Sequence, residues 1–205
     1  MKNAQRGSTW VWVVVIIVIV VIVAMSIQGF VLMGNNQKTQ VPQDQNAVST
    51  PTAASPVTTA LYTYTMPSGW SSIPNSSVDG IQQAINKSTG DNFSIITNTL
   101  PTTLAKATSI TQIVNQTDIG KVALSNFTDA TVNNVSTGTL DGKVAYIVKL
   151  SRTVTSSVGS QAQSIVQYTA ISNGTTYSLI FMTATTRVDK AQPDFQSIIN
   201  SFQFK

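Results

Sequence analysis

Three residue types that enzymes and metal sites use most often are missing from this sequence, which contains no cysteine, no histidine and no glutamate. Without cysteine, the chain forms no disulfide and carries no thioether-linked lipid, so it is not a lipoprotein. Without histidine and cysteine, neither a Ser-His-Asp nor a Cys-His arrangement is possible, nor a zinc site of ordinary ligands. We therefore predict that the protein is not an enzyme and that it binds no metal or cofactor.

Charge is also scarce, because charged residues make up 10% of the chain and all eight acidic residues are Asp. Most of these stand in segments rich in turn-forming residues, as Asp91, Asp129, Asp141 and Asp189 do. Aspartate in such segments ordinarily bonds to nearby backbone, so we interpret these residues as turn or cap residues. No spacing typical of a calcium loop or a phosphate loop occurs. An Asp-based hydrolase is the least favoured function.

One long hydrophobic run is present near the N-terminus, from Trp10 to Met33. A helix of this length crosses the roughly 30 Å apolar core of a bilayer. Lys2 and Arg6 precede the run without any acidic residue, and such a positive flank stays in the cytoplasm. We predict that residues 1–9 are cytoplasmic, that 10–33 form a single transmembrane helix in the cell membrane, and that the rest of the chain is extracytoplasmic.

A cleaved secretory signal is the alternative interpretation of this run. Val11–Val23 has the length of a signal's apolar region, and Ala24-Met25-Ser26 resembles a cleavage site. Apolar residues resume after Ser26, through Phe30 to Met33, which a signal does not require. We therefore favour the retained anchor. Both interpretations place the remaining chain outside the cytoplasm.

Residues 34–60 are mainly Gln, Asn, Thr, Ser, Pro and Ala, a composition that buries too little surface to offset its ordering entropy. We predict a flexible linker here, followed by one exported domain over Leu61–Lys205 that folds without disulfides. Its Lys and Arg residues are scattered, and no cluster typical of nucleic-acid binding occurs. The predicted partners are membrane lipid, through residues 10–33, and an envelope protein that the sequence does not identify.

Tight turns divide the second half of this domain into a four-stranded antiparallel meander. Asp141-Gly142 and Asn173-Gly174 are two-residue links typical of β-hairpins. The last of the four strands carries apolar residues on both faces, which predicts cover on both sides of the sheet, with helices on at least one. The predicted strands are Thr131–Leu140, Lys143–Arg152, Ser164–Ile171 and Thr175–Met182.

The first half of the domain contains three further predicted strands and a helical segment. Leu61–Met66 is a strand, and Ile81–Asn86 and Asn92–Leu100 form a hairpin. Thr108–Phe127 has a helical apolar period that slips near Gln116-Thr117-Asp118, which predicts a kink or two short helices.

The chain closes with a second predicted helix, in which Phe195, Ile198, Ile199 and Phe202 form one apolar stripe. It begins at Asp189 or Gln192, with Pro193 in its first turn, where proline is tolerated.

Trp70 is the single candidate partner-contact residue, because an aromatic after Met66-Pro67-Ser68-Gly69 can anchor a binding partner. A lone Trp at the end of a strand more often seals the edge of the core, and we favour that interpretation.

Four segments resemble PsbP-like domains, one at each end of the domain and two in the meander. They are Tyr64–Trp70, Leu140–Ala145, Asn173–Leu179 and Phe195–Phe202. The resemblance implies an α+β fold, an α/β sandwich with a central antiparallel sheet of about six strands and packed helices. Members include the extrinsic photosystem II subunit, a nuclear import factor and membrane-tethered bacterial proteins, and few are enzymes. No ligand site of the family matches residues of this chain.

These observations predict a membrane-anchored, non-catalytic binding or assembly module. The alternative is a small-ligand or solute-binding accessory protein of the cell envelope, with a pocket lined by Trp70 and tyrosines.

Overall fold

The computed structural model describes residues 53–73, 80–157 and 159–205. The predicted membrane helix 10–33, its basic flank and most of the predicted linker lie outside these residues. Among the described residues, no helix is both long enough and apolar enough to cross a bilayer. The predictions about membrane anchoring therefore stay predictions.

Two antiparallel sheets form the folded domain. The strands are β1 (Ser55–Thr58), β2 (Tyr62–Met66), β3 (Trp70–Ser72), β4 (Ile81–Asn86), β5 (Asn92–Thr99), β6 (Ala130–Leu140), β7 (Lys143–Ser156), β8 (Gly159–Ser172), β9 (Thr175–Ala184) and β10 (Gln203–Phe204). The central sheet has seven strands in the order β3-β4-β5-β9-β8-β7-β6, and the smaller sheet has the order β1-β2-β10. The predicted count of about six was one too low, because the three residues of β3 are too few to show an alternating pattern.

Strand β1 corrects the predicted boundary between linker and domain. It lies within residues 34–60, yet it pairs with β2 from Ser55 opposite Met66 to Thr58 opposite Thr63. Its side chains are mostly exposed, so composition gives no sign of it. Backbone hydrogen bonds to β2 hold it in place.

The predicted meander of β6, β7, β8 and β9 is confirmed, with neighbours joined in chain order. Asp141 and Gly142 have φ of 44° and 71°, and Asn173 and Gly174 have φ of 50° and 71°. Positive φ at both central residues is the geometry of the hairpin turn that matches strand twist. The β4–β5 hairpin is confirmed as well, and β5 pairs with β9 along its whole length.

The helical segment predicted over 108–127 is confirmed as two short helices. A 3₁₀-helix covers Ile110–Gln112, and helix α1 covers Gln116–Asn126. Asn115 between them has extended backbone, and its side chain accepts a hydrogen bond from the Asp118 amide. A cap of this kind begins a new helix rather than continuing the first.

Helix α2 (Val188–Ser201) is the last helix of the described domain, and it starts one residue before Asp189 and four before Gln192, the two predicted starts. Pro193 lies inside it rather than in its first turn, so that part of the prediction is wrong. Pro193 has no amide hydrogen to donate to the Asp189 carbonyl. Because Pro193 is exposed and this carbonyl lies near solvent, the free-energy cost of a proline inside the helix is lowered. Phe202 follows the last helical turn with extended backbone and is 2% exposed.

Both faces of the central sheet are covered, as the two-sided pattern of β9 predicted. On one face, the α1 face, Ile119 and Val122 pack in a cluster with Val148 and Ile180. The other, the α2 face, packs against helix α2 and the smaller sheet. On this face, Tyr62, Ile198 and Phe202 pack in a second cluster with Leu179 and Phe181.

Candidate functional site

Trp70 lies in the core on the α2 face, where it is 2% exposed. Its indole Nε1 donates a hydrogen bond of 2.7 Å to the Asp194 carboxylate. Its ring meets the ring of Phe195 edge-on, with centroids 6.0 Å apart. Both partners belong to helix α2, so Trp70 joins β3 to that helix. The ring presents almost no surface to a partner, contrary to the predicted contact and in line with the favoured core interpretation.

The tyrosines that were predicted to line a pocket with Trp70 are packed against other aromatic rings. Tyr62 stacks on Phe202 at 5.5 Å and meets Tyr177 edge-on at 6.2 Å. Tyr64 meets Phe93 edge-on at 5.5 Å. Aromatic pairs at these distances add to the free energy of burial. The space that the small-ligand alternative needs is therefore filled by side chains.

Burial changes the acidity of these tyrosines. Desolvation, with a smaller contribution from Tyr177, raises the pKa of Tyr62 to about 12. The Tyr62 hydroxyl donates to Gln82 Oε1 at 3.0 Å. Desolvation also raises the pKa of Tyr64, whose hydroxyl is buried without a hydrogen-bond partner among the described residues. Both phenols stay neutral at physiological pH.

Asp91 is the most strongly bonded carboxylate in the described domain, and the sequence did not reveal this role. It follows the β4–β5 turn with its side chain 3% exposed. Thr183 and Thr89 each donate a hydroxyl hydrogen bond of 2.6 Å to it. Arg187 donates from Nη2 at 3.1 Å, with its own side chain 32% exposed. Burial alone would raise the pKa of Asp91, but the hydrogen bonds from Arg187, Thr183 and Thr89 together lower it below its ordinary value.

This cluster joins three elements that are distant in sequence. Asp91 belongs to the β4–β5 hairpin, Thr183 is the last residue but one of β9, and Arg187 ends the short 3₁₀-helix Thr185–Arg187 just before α2. The carboxylate and the guanidinium are 96 positions apart, so no motif spacing could have paired them. The only feature of the sequence that distinguishes Arg187 is that it is the first charged residue after Arg152. All donors point to one carboxylate, so the arrangement holds the three elements together.

The other aspartates of the described domain are dispersed, and four of them, Asp118, Asp129, Asp141 and Asp194, are bonded within the fold. Asp118 pairs with Lys121 at 3.0 Å, and Asp129 lies 3.6 Å from Arg152. Asp141 accepts a hydrogen bond from the Phe204 amide at 2.8 Å. Within the described residues, no group of three or more Asp side chains comes together as a metal site would need.

A shallow groove of about 570 Å³ runs between β2 and α2 on the outer surface. Its lining carries no charged residue, and Ser201 Oγ accepts a hydrogen bond from the Thr65 amide across it. The lining residues are Thr65, Pro193, Gln196, Ser197, Asn200 and Ser201. The sequence pattern could not reveal this surface, because its residues are the common polar types of the whole chain.

Comparison with known proteins gives a family and a fold. The model of the PsbP family matches residues 57–204. The solution structure of cyanobacterial PsbP (CyanoP) from Synechocystis sp. PCC 6803 matches with a TM-score of 0.60 and 17% identity, over 80% of this chain and 98% of that chain. A structure from Bacteroides thetaiotaomicron VPI-5482 gives 0.49 and 12%, over 70% and 45% of the two chains. The protein Mog1, as a variant, gives 0.48 and 10%, over 74% and 95%. No curated protein matches the chain.

Proposed function

The chain belongs to the PsbP family, and from this premise we propose that its folded domain is a non-catalytic binding or assembly module held at the outer face of the cell membrane. The observation that carries the proposal is the filled aromatic core of the α2 face. Tyr62, Tyr64 and Trp70 are each at most 5% exposed. A domain whose core is closed in this way recognises its partner on its outer surface.

The chemistry of that surface limits the kind of partner. The ion pairs Asp91–Arg187, Asp129–Arg152 and Asp118–Lys121 neutralise half of the acidic residues in the described domain. Long polar stretches without charge separate the remaining ones. Strong electrostatic steering is not expected from such a surface. The domain suits a protein surface that is approached closely and recognised by shape and hydrogen bonds.

The predicted anchor supports the same function. A single span at 10–33 and a polar linker would hold the domain within a short reach of the membrane, where its effective concentration for a membrane-bound partner is high. A weak interface is sufficient under these conditions.

Crosslinking in native membranes tests the proposal. A photo-crosslinking amino acid placed at Ser197 in the groove, and in a matched control at Lys121 on the opposite helix, is activated in intact cells. We expect a defined protein partner to be recovered at Ser197 more strongly than at Lys121. Recovery of no protein partner from any outer position, together with thermal stabilisation of the purified chain by a small molecule, would overturn the proposal.

The small-ligand alternative has one candidate site. The groove of about 570 Å³ between β2 and α2 is where such a ligand would bind, and it is shallow and open to solvent, unlike the enclosed clefts that small-molecule sites usually occupy. The same thermal measurement tests it, with Ser197→Trp as the variant that fills the groove. Stabilisation that this variant removes would favour the alternative.

A further inference from the structure

Few hydrogen bonds attach residues 203–205, the C-terminal segment, to the rest of the domain. Strand β10 pairs with β2 at only two positions, Gln203 opposite Thr63 and Phe204 opposite Tyr62. The Lys205 amide donates to the Leu61 carbonyl at 3.0 Å. Phe204 is half-buried, and its two neighbours in the segment are exposed. A strand this short with so little burial has low local stability, so its attachment depends on side chains that bond to it.

Two hairpin turns supply these side chains. In the turn between β6 and β7, the Asp141 carboxylate accepts a hydrogen bond from the Phe204 amide at 2.8 Å. In the turn between β8 and β9, Asn173 Nδ2 donates to the Lys205 carbonyl at 2.9 Å. A chemical change at Asn173 therefore acts directly on the C-terminal segment.

Asn173 and Gly174 are the only Asn-Gly pair in the sequence. In such a pair the asparagine side-chain carbon Cγ is an electrophile, and the next backbone nitrogen can attack it because glycine has no side chain to obstruct the approach. Asn173 is exposed. The Gly174 amide donates no hydrogen bond within the part of the chain that the structure describes. A Cβ placed on Gly174 would meet only the Ala105 carbonyl oxygen, at 3.8 Å, so the surroundings of the nucleophile are open.

We propose that Asn173-Gly174 is a site of spontaneous modification, at which the asparagine becomes isoaspartate or aspartate and releases the C-terminal segment. The Gly174 nitrogen bonds to Asn173 Cγ and loses its proton to water, while the Cγ–Nδ2 bond breaks and ammonia leaves. Water then opens the resulting succinimide ring. Opening at the backbone carbonyl gives isoaspartate, and opening at Cγ gives aspartate. The reaction consumes one water, releases one ammonia and needs no oxidant or reductant.

The attached segment and the reaction exclude each other. The leaving group Nδ2 is the atom that bonds to Lys205. Asn173 has φ of 50°, and a residue in the left-handed region directs the next backbone nitrogen away from its own side chain. Attack therefore requires that Nδ2 leaves the Lys205 carbonyl and that the turn opens. The C-terminal segment protects Asn173, and modification removes one of the bonds that hold the segment.

Neither product restores the lost bond. An aspartate at position 173 has no hydrogen to donate at neutral pH, so its carboxylate and the Lys205 carbonyl are two facing acceptors. Isoaspartate adds one carbon to the main chain inside the two-residue link, which removes the turn geometry that matches the strands. Both products leave the segment with the Asp141 bond and its contacts to β2.

Peptide mapping by mass spectrometry tests the modification. The full-length chain, purified in detergent, is kept in mildly alkaline buffer made with heavy-oxygen water, so that each new carboxylate carries the label. An isoaspartate-specific enzymatic assay separates the two products. Asn134 is the internal control, because it is exposed and precedes the β-branched Val135. We expect labelling at Asn173 to be at least about ten-fold faster than at Asn134.

Two variants that leave Asn173 in place test the protection. Asp141→Gly keeps the positive-φ turn and removes the acceptor of the Phe204 amide. Phe204→Ala removes a half-buried ring whose centroid lies 4.8 Å from that of Tyr177. We expect each variant to raise the rate at Asn173 by about three-fold or more, because each increases the open population of the segment. Lys121→Ala, on the exposed side of α1, should leave the rate unchanged.

Asn173→Asp tests the release, because it is one of the two products. Hydrogen exchange of residues 203–205 should be about three-fold faster or more in this variant than in the parent, with exchange in the β4–β5 turn unchanged. Labelling at Asn173 no faster than at Asn134, a rate at Asn173 that neither Asp141→Gly nor Phe204→Ala changes, or parent-like exchange in Asn173→Asp would each overturn the proposal.

Discussion

Removing the Asp91 carboxylate should be among the most destabilising single changes on the polar side of this fold. In Asp91→Ala, the guanidinium of Arg187 loses its partner, and the hydroxyls of Thr183 and Thr89 lose an acceptor to which each is bonded at 2.6 Å. The alanine also leaves space at the junction of β5, β9 and α2. We expect the domain to remain folded at 25 °C but with much reduced stability.

The magnitude follows from the burial of the two partners. Breaking a fully buried ion pair by removing one member costs about 3–5 kcal/mol. Asp91 is 3% exposed, but Arg187 is 32% exposed, so water partly solvates the abandoned guanidinium. We therefore expect a loss of about 2–4 kcal/mol, which corresponds to a fall in Tm of about 6–12 °C for a domain of this size.

Urea denaturation of the purified domain, followed by far-ultraviolet circular dichroism, measures this loss. Lys121→Ala breaks the exposed Asp118–Lys121 pair and serves as the control, with an expected change below about 1 kcal/mol. A double-mutant cycle with Arg187→Ala isolates the coupling between the charges. An Asp91→Ala protein within 0.5 kcal/mol of the parent, or a coupling near zero, would refute the reasoning.

The same site predicts a pH dependence. The pKa of Asp91 is lowered in the folded state, so its contribution to stability is complete above the ordinary pKa of 3.8 and is lost as the pH falls through the folded value. Asp91→Asn has no carboxylate to protonate. The variant should therefore lose less stability than the parent between neutral pH and the acid range. Parallel stability profiles for the two proteins would show that Asp91 does not titrate as described.

Three further predictions test the core and the topology. Phe202→Asp should unfold the domain, because it places an unpaired charge among Tyr62, Tyr177 and Phe204; a melting curve like that of the parent would show that the packing is wrong. Because the pKa of Tyr62 is raised to about 12, stability should be lost as the pH rises from about 10 towards 12, and Tyr62→Phe should reduce that loss in alkaline denaturation. Protease added to intact protoplasts should remove the folded domain and leave a small membrane fragment that contains residues 10–33; a soluble full-length protein or a mature N-terminus after Ser26 would contradict the anchor.

The parts of the fold that the sequence revealed are those set by local geometry. Asp141-Gly142 and Asn173-Gly174 predicted two hairpins because few residue pairs adopt positive φ at both positions. The alternation in β9 predicted that its odd and even residues face different layers, and Leu179 and Ile180 do belong to the two separate clusters. In each case, the residues that form the pattern lie within about ten positions of the turn or strand that they predict.

The parts that the sequence did not reveal depend on long-range pairing. β1 and β10 are held mainly by the backbone of β2, and backbone bonds leave no pattern in side-chain composition. Asp91 was interpreted as a turn residue because its local surroundings are those of a turn. Its function as an ion-pair partner depends on Arg187, which the fold alone brings to it. The open groove at Ser197 likewise appears only when the packing of α2 beside β2 is known.

Two turn residues that adopt positive φ also make long-range hydrogen bonds to the C-terminal residues of the domain. Asp141 accepts a hydrogen bond from the Phe204 amide at 2.8 Å, and Asn173 donates one to the Lys205 carbonyl at 2.9 Å. The Lys205 amide in turn donates to the Leu61 carbonyl at 3.0 Å. These hydrogen bonds hold the C-terminal residues in a domain without disulfides. Asp and Asn suit the two positions because they tolerate positive φ and carry a hydrogen-bonding side chain, whereas glycine would keep the turn and lose the hydrogen bond.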